Sequence, residues 1–405
     1  MNRTKERLWT KDFLLFSVSA FFVGLIFLLT MTTVAEYVLS KFDATNSSAG
    51  LAAGIFVIGV IISRLFTGKY LDIIGRKKLL ITGVIFSFII SLLYFPAESL
   101  NFLIMVRFLH GLVIGLVLTV LQTAVLDIIP KARKGEGISY FSLGFILASA
   151  FGPFLGVVIM QYANIITIFI LVTIVSGLNI ILVFLINIKE THITKEQLNE
   201  LKGFHVKDFF DKTAIPISLI MFINAFAYSG ILSFLASYSK EIQLMSAASF
   251  FFIIYSIAVF LSRPTTGKLL DTKGDNIVFY PAILSLSVGL IVLSQATHGV
   301  VLLIGAALIG FGYGNLLSAG QAIVTKNTPN HRVGVATTTY FFGIEIAIGI
   351  GPTFLGFFVS AFGFRSMYLI LGITVFFSLI LYYFVHGKNQ SYEKPVSQTS
   401  EHNSV

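Results

Sequence analysis

The sequence predicts an all-α membrane protein with 12 transmembrane helices, arranged as two six-helix halves related by pseudo-two-fold symmetry. Three observations predict this fold class: the apolar composition, the recurrence of long apolar runs, and a repeat that relates the two halves of the chain. Hydrophobic residues make up 56% and charged residues 12% of the 405 residues, and the mean hydropathy is +0.89. A soluble domain of this length needs more polar surface than this composition supplies.

Apolar runs long enough to cross ~30 Å of hydrocarbon as a helix recur from one end of the chain to the other. The first run is too long for a signal peptide, and no small-residue cleavage site follows it, so it counts as a span. Because the chain has no cysteine, disulfides and thiolate metal sites are excluded, and we expect no metal and no other cofactor. The twelve predicted spans are 13–38, 48–68, 78–96, 101–127, 137–162, 165–187, 214–238, 247–267, 276–297, 300–325, 335–361 and 366–386.

The net charge of +9 is unevenly distributed between the two predicted sides of the membrane. Of the 28 Lys and Arg residues, three lie on one side, Arg107 lies within a span, and the others lie on the side of the termini. The three exceptions are Lys41, Lys240 and Arg365. This asymmetry predicts a multi-pass protein of the cell membrane with both termini in the cytoplasm, and it argues against nucleic-acid binding.

An internal repeat divides the chain into halves. The segment SRLFTGKYLDIIG at 63–75 returns as SRPTTGKLLDTKG at 262–274, with each identical residue 199 positions after its counterpart. The offset continues to Gly144 and Gly343, and GPFLG at 152–156 nearly matches GPTFLG further on. Six spans in each half make the repeat parallel, with its axis along the membrane normal, which is a transporter architecture. The other interpretation is a duplication kept only for packing.

The repeat and the polar segments define the predicted organisation of the chain. The most polar long segment separates the two halves and is predicted to be a cytoplasmic linker. The predicted parts are an N-terminal six-helix half at 1–187, the linker at 188–213, a C-terminal six-helix half at 214–386, and a cytoplasmic tail at 387–405.

Three motifs carry a family resemblance. GKYLDIIGRKK at 68–78 resembles the signature loop of the major facilitator superfamily, which joins spans 2 and 3. RFLHG at 107–111 is similar to the span-4 motif of the proton-driven drug exporters of that family, and ASAFGPFLGV at 148–157 resembles their span-5 antiporter motif. Within the family, the chain resembles the 12-span proton-coupled efflux branch, which includes exporters of drugs and of opine-type metallophores.

The repeated polar loop is predicted to form two related cytoplasmic gates. Gly68 and Gly75 are expected to permit a tight turn and a close approach of helices. Asp72 can pair with Arg76, or face the positive N-terminal end of a neighbouring helix. The resemblance implies that this contact latches the two halves, and Asp271 occupies the equivalent place in a weaker second gate. The alternative is a solvated turn whose charges only orient the chain.

The antiporter motif places Gly152 and Gly156 one turn apart on one face of span 5, with Pro153 between them. Gly351 and Pro352 repeat the pattern in span 11. Small residues allow a partner helix to approach, and proline removes a backbone donor and can bend the span. The alternative to an exporter motif is ordinary membrane packing.

Two charged residues are candidates for proton coupling. Arg107 is predicted to be the one Lys or Arg inside a span; it either points into the bundle or snorkels to the surface. Glu345 lies close to mid-membrane in span 11, and its repeat counterpart is Ile146. We expect Glu345 to take and release the proton, with Arg107 as a possible counter-ion, or else to be held neutral by a hydroxyl. Glu36 is predicted to lie near the outer mouth.

The candidate substrate-binding residues are Gln122 and Gln321, which are repeat mates in spans 4 and 10, together with Phe226, Tyr228 and Phe341. The two amides could instead hydrogen-bond between helices, and the aromatic rings could instead pack or face lipid.

The predicted function is a secondary active transporter, namely a proton-coupled antiporter that exports a small organic or amphiphilic solute by alternating access. The alternatives are a proton-coupled importer of a polar metabolite and a non-transporting membrane sensor on a transporter scaffold. An enzyme is not expected, because the chain has no H-E-x-x-H, G-x-S-x-G or P-loop motif. The expected partners are a small-molecule substrate, protons and the lipid bilayer, without nucleic acid, for a chain that acts as a monomer.

Overall fold

The computed structural model describes residues 7–130, 134–188, 210–326, 328 and 333–389. At some helical positions, Asp72 and Asp271 among them, the description is limited to the backbone. The predicted linker lies largely outside the described residues, and so does most of the predicted tail.

The described secondary structure is helical throughout, with no strand in those ranges. A helix satisfies all of its internal backbone hydrogen bonds within one segment, which is what a long apolar segment requires in hydrocarbon. The helices are α1 (Lys11–Phe42), α2 (Asn46–Ile74), α3 (Arg76–Leu92), α4 (Leu100–Ile128), α5 (Lys134–Tyr162), α6 (Ile165–Leu185), α7 (Ile215–Glu241), the single turn α8 (Met245–Ala248), α9 (Phe251–Lys273), α10 (Asn276–Ser294), α11 (Gly299–Lys326) and α12 (Val333–Val385).

Side-chain caps fix the beginnings of four helices. In each case a Thr, Ser or Asn oxygen accepts a hydrogen bond from the backbone amide three residues later, which satisfies one of the free donors of the first turn. The donor–acceptor distances are 3.2–3.3 Å. The capping residues are Thr10, Thr45, Ser99 and Asn164.

Ten of the described helical segments are long and apolar enough to cross a membrane. This number is smaller than the twelve predicted spans for two reasons. The last two predicted spans are joined in α12, which Gly363 divides into an N-terminal arm and a C-terminal arm by its left-handed φ of 79°. The third predicted span corresponds to α3, whose 17 residues make it shorter than the about 20 residues of a typical membrane-crossing helix. The protein is a multi-pass, all-α membrane protein.

The packing repeats with the sequence. α4 crosses α2 at Gly111, where a Cβ would lie 1.9 Å from the carbonyl oxygen of Phe56. α11 crosses α9 at Gly310, where a Cβ would lie 2.4 Å from the carbonyl oxygen of Tyr255. Both residues of the second contact lie 199 positions after those of the first. The two halves are therefore built on the same helix crossings, which need glycine because the backbones touch.

The signature segment 68–78 is almost entirely helical, which corrects the prediction of a loop and of a tight turn at Gly68. α2 continues to Ile74 and α3 begins at Arg76, so that the turn consists of Gly75 alone, with φ 101°. Gly274 makes the equivalent turn after α9 with φ 87°. A residue with a Cβ is strained at these φ values, which accounts for glycine at both positions.

The bundle has two ends, which we name by the chain. The linker end is the end where α6 stops and α7 starts, and the far end is the end where α1 stops and α2 starts. The two halves contact each other where α1 meets α7, where α2 meets the N-terminal arm of α12, and where α5 meets α9. We call the last two contacts the α2/α12 seam and the α5/α9 seam.

Candidate functional site

An ion pair joins the two halves at the α2/α12 seam. The Arg64 Nη1 atom lies 2.7 Å from the Glu345 Oε1 atom. The Arg64 side chain is 27% exposed and the Glu345 side chain 18%, so the pair is shielded from water over most of its surface. Arg64 belongs to the N-terminal half and Glu345 to the C-terminal half, so the charge state of one carboxyl bears directly on a contact between the halves.

Small residues bring the two helices of this seam together between the pair and the far end. A Cβ at Gly54 would lie 1.8 Å from the carbonyl oxygen of Gly349, and one at Gly50 would lie 2.0 Å from that of Pro352. Such approach is possible only for residues without a Cβ, and it fixes the register of α2 against α12. With that register fixed, Arg64 is placed beside Glu345.

The position of Arg64 corrects the prediction that Arg107 is the one Lys or Arg inside a span. Arg64 lies within α2 and its repeat mate Arg263 lies within α9, so Arg107 is not the only cation in a membrane-crossing helix. Both residues lie near the ends of the predicted spans 48–68 and 247–267, where the charge count places them with the adjoining loops, whereas the helices continue past them. Arg64 was not among the predicted site residues, although its recurrence as Arg263 in the repeated segment was the signal that could have identified it.

Arg107 is fully buried and does not snorkel. Its Nη1 donates to the Thr30 hydroxyl at 2.7 Å, its Nε to the carbonyl of Ala52 at 3.0 Å, and its Nη2 to the carbonyl of Ala53 at 3.2 Å. The guanidinium also lies 4.5 Å from the centre of the Phe56 ring. These contacts tie α4 to α1 and α2 within one half, and the partner of Glu345 at the seam is Arg64 rather than Arg107.

A second ion pair between the halves lies at the far end. Lys240 Nζ at the end of α7 lies 2.5 Å from Glu36 Oε1 on α1. Glu36 is 8% exposed and Lys240 is 62% exposed, and both line an open cleft of about 350 Å³ together with Ser237 and Phe364. The structure thus places Glu36 at one mouth of the bundle.

The predicted gating residues are only partly described. Arg76 is buried at the start of α3 and forms an ion pair with Asp127 near the end of α4, within the N-terminal half. The side chains of Asp72 and Asp271 lie outside the described residues, so their proposed latch remains a prediction.

The residues of the antiporter motif mediate close helix packing. A Cβ at Gly152 would lie 3.0 Å from Leu28, and one at Gly156 would lie 2.7 Å from Thr33, so this face of α5 packs on α1. A Cβ at Gly351 would lie 2.2 Å from the hydroxyl of Ser229 on α7. Pro153 and Pro352 both lie inside their helices.

The five predicted substrate residues lie on four helices and differ in burial. Gln122 is exposed on α4, and Gln321 is half-buried on α11. Tyr228 is buried and stacks on Tyr313 with the ring centres 4.0 Å apart. Phe226 is half-buried on α7 and Phe341 is half-buried on α12. Of the three aromatic rings in this set, that of Tyr228 is the most completely buried.

The repeated six-helix halves, their duplicated crossings and the charged contacts between them are features of a known transporter fold. A family model described as Major Facilitator Superfamily matches residues 16–297 and 217–403. The chain belongs to this superfamily. As a member of it, the protein is a transporter rather than an enzyme.

Several relatives cover most of the chain. An uncharacterized MFS-type transporter of Methanocaldococcus jannaschii is 29% identical over 80% of this chain and 85% of its own length. The staphylopine export protein of Staphylococcus aureus is 22% identical over 84% and 87%. The multi-drug resistance efflux pump PmrA of Streptococcus pneumoniae is 24% identical over 82% and 84%.

Solved structures share the fold at lower identity. A POT family transporter in complex with 5-aminolevulinic acid is 14% identical and superposes with a TM-score of 0.77, covering 93% of this chain and 96% of its own. A mutant of the nucleoside transporter NupG is also 14% identical and gives a TM-score of 0.73, with 91% and 99% covered. These similarities concern the fold alone.

Proposed function

We propose that the protein is a proton-coupled antiporter that exports a small organic or amphiphilic solute from the cytoplasm across the cell membrane. The observation that supports this most directly is the Arg64–Glu345 ion pair across the α2/α12 seam. Glu345 lies well inside a membrane-crossing helix, where an ionisable residue usually marks an ion or substrate pathway.

The pair links protonation to the contact between the halves. The ionised Glu345 carboxylate attracts the Arg64 guanidinium and so stabilises the closed seam. A proton on Glu345 removes that attraction and favours separation of α2 from α12. Separation in turn exposes the carboxylate to water, where it can exchange its proton. Proton occupancy and the arrangement of the halves therefore bias each other, as a carrier that alternates between two arrangements requires.

The proposed sidedness follows from charge. The charge pattern predicts that the linker and most Lys and Arg residues lie on the cytoplasmic side, and the linker end is the end that this assigns to the cytoplasm. At the far end the halves touch through Glu36–Lys240 and through Asn46, whose amide nitrogen lies 3.3 Å from the Ser360 hydroxyl. These contacts favour access from the cytoplasm in this arrangement. Export is supported by two of the relatives, the staphylopine export protein and the efflux pump PmrA.

The experiment is efflux from everted vesicles under an imposed proton gradient, with ethidium and Hoechst 33342 as fluorescent probes. Glu345→Gln keeps the shape of the carboxyl but cannot exchange a proton, so proton-driven transport should be lost while the protein still reaches the membrane. Glu345→Asp should retain part of the activity. Glu98→Gln, at an exposed acid in the turn before α4, is the matched control and should transport like the wild type. Full proton-driven transport by Glu345→Gln would contradict the assignment.

A further inference from the structure

The α2/α12 and α5/α9 seams are counterparts under the internal repeat. At the far end of each, an amide donates to a serine hydroxyl: Asn46 of α2 to Ser360 of α12 at 3.3 Å, and Gln161 of α5 to Ser246 of α8, the short helix that precedes α9, at 2.9 Å. In the α5/α9 seam, the Phe154 and Phe250 rings also meet, with centres 5.8 Å apart. The two contacts are of the same kind with the donor and acceptor sides exchanged, and the 199-residue offset allows the two seams to be compared position by position.

The seams differ where the first one carries its ion pair. Arg263 is the repeat mate of Arg64, and Ile146 is the repeat mate of Glu345. Ile146 also lies as many residues before Gln161 as Glu345 lies before Ser360. The α5/α9 seam thus retains the cation of the pair, and an isoleucine takes the place of the acid.

Arg263 is half-buried and lacks a counter-charge in the part of the chain that the structure describes. Its Nε atom is buried without a hydrogen-bond partner. A cation inside a membrane-crossing helix needs an anion or water to be tolerated. The nearby polar groups satisfy one another instead: the Asn315 amide donates to Ser262 at 2.9 Å and accepts from Thr266 at 2.8 Å.

A tyrosine of the same helix belongs to a buried aromatic cluster. Tyr255 is two turns before Arg263 and therefore on the same face of α9. Its ring stacks on Tyr228, which in turn stacks on Tyr313. A guanidinium on the same helix face as this cluster suits a ligand with one anionic group and one apolar or aromatic part, because the planar fork of Arg binds a carboxylate through two parallel hydrogen bonds.

We propose that Arg263 binds a carboxylate of the exported solute, so that the preferred substrates are amphiphilic organic acids. This proposal depends on the proposed function only in assuming that the protein transports a solute. Arg64 does not offer the same binding site, because its guanidinium already pairs with the Glu345 carboxylate. Because the repeat has Ile146 where the second half has Glu345, Arg64 serves proton coupling and Arg263 serves anion binding.

The test is equilibrium binding to protein in phosphatidylcholine nanodiscs, with N-dansyl-phenylalanine as the acid probe and N-dansyl-phenylalanine amide as its neutral match. The wild type should prefer the acid. Arg263→Gln should weaken binding of the acid about 10- to 100-fold and leave the amide unchanged, as expected for a hydrogen bond to a charged group. Arg263→Lys should retain part of the preference. Lys273→Gln removes the same charge from an exposed position of the same helix and should have no effect.

A second variant tests the comparison of the seams. Ile146→Glu supplies the acid that the α5/α9 seam lacks, so it should compete with the probe and remove the preference for the acid. A wild type without preference for the acid, whether it binds both probes or neither, overturns the proposal. The proposal is also overturned if the Arg263→Gln protein elutes as a single folded species and still prefers the acid. Because no proton gradient is applied, failure of proton-coupled antiport would leave these binding results intact.

Discussion

The Arg64–Glu345 contact predicts that Glu345→Gln loosens the α2/α12 seam even without transport. The substitution preserves shape but leaves Arg64 without its counter-charge. At a separation of 2.7 Å, the gross attraction is about 6 kcal/mol for an effective dielectric constant of about 20. Both side chains are partly exposed, and desolvation opposes the pairing, so we expect a net contribution of about 1–3 kcal/mol. That corresponds to a change of about 5- to 150-fold in the population of the open seam.

The assay follows a single thiol placed in the seam. Ile58 on α2 is half-buried, and a Cβ at Gly349 on α12 would lie 2.8 Å from its Cδ1 atom. Since the chain has no cysteine, Ile58→Cys provides one reactive group whose alkylation reports separation of the two helices. In this background Glu345→Gln should speed alkylation by about 5- to 150-fold, and the control Glu98→Gln should not change the rate.

A double-mutant cycle decides whether the pair is the cause. If Arg64 and Glu345 act through each other, the combined Arg64→Gln and Glu345→Gln variant should label no faster than the faster single variant. Rates that multiply across the two substitutions would mean that each residue acts separately. An unchanged rate in Glu345→Gln would refute the reasoning altogether.

Three further predictions concern other parts of the molecule. Asp72→Asn should lower the rate of efflux more than Asp271→Asn does, and neither substitution should weaken probe binding. Efflux and binding assays on both variants test this, and an equal loss of efflux would contradict the prediction that the second gate is weaker. Arg107→Leu removes three hydrogen bonds at a buried site and should lower the free energy of unfolding by more than ~2 kcal/mol. Arg107→Lys should lower it less, and thermal unfolding in detergent measures both effects. A cysteine at Lys202 in the linker should not react with an impermeant reagent outside intact cells, and reaction would refute the proposed sidedness.

The sequence was a good guide to the fold because apolar length reflects membrane thickness directly. The same signal failed at helix ends. Hydropathy predicts an end to span 2 at 68, whereas α2 continues to Ile74, because a helix is held by backbone hydrogen bonds and continues through polar residues. Arg64 and Arg263 lie a few residues before the predicted ends of spans 48–68 and 247–267, and the charge count places them with the adjoining loops although their helices continue.

The candidate site was less predictable. The mid-membrane position of Glu345 could be recognised from the sequence, but its partner could not, because the pairing depends on the register between helices from different halves. That register is set by contacts such as Gly54 against Gly349, which no local pattern specifies. The inward direction of Arg107 was recognisable, because the glycines one and two turns later mark the face that packs on α2.

The comparison of the two halves separates what repeats from what does not. Helix crossings repeat, as Gly111 and Gly310 show, because both halves must pack and move in the same way. Not every charge repeats: Arg64 returns as Arg263, but the mate of the buried Arg107 is Ala306, and the mate of Glu345 is Ile146. A carrier that rocks about a two-fold axis needs equivalent joints on both sides, whereas a protonatable contact on one side suffices to bias the movement. Under the proposals made above, the replacement of Glu345 by Ile146 in the repeat lets one seam respond to protons and leaves the other available for the solute.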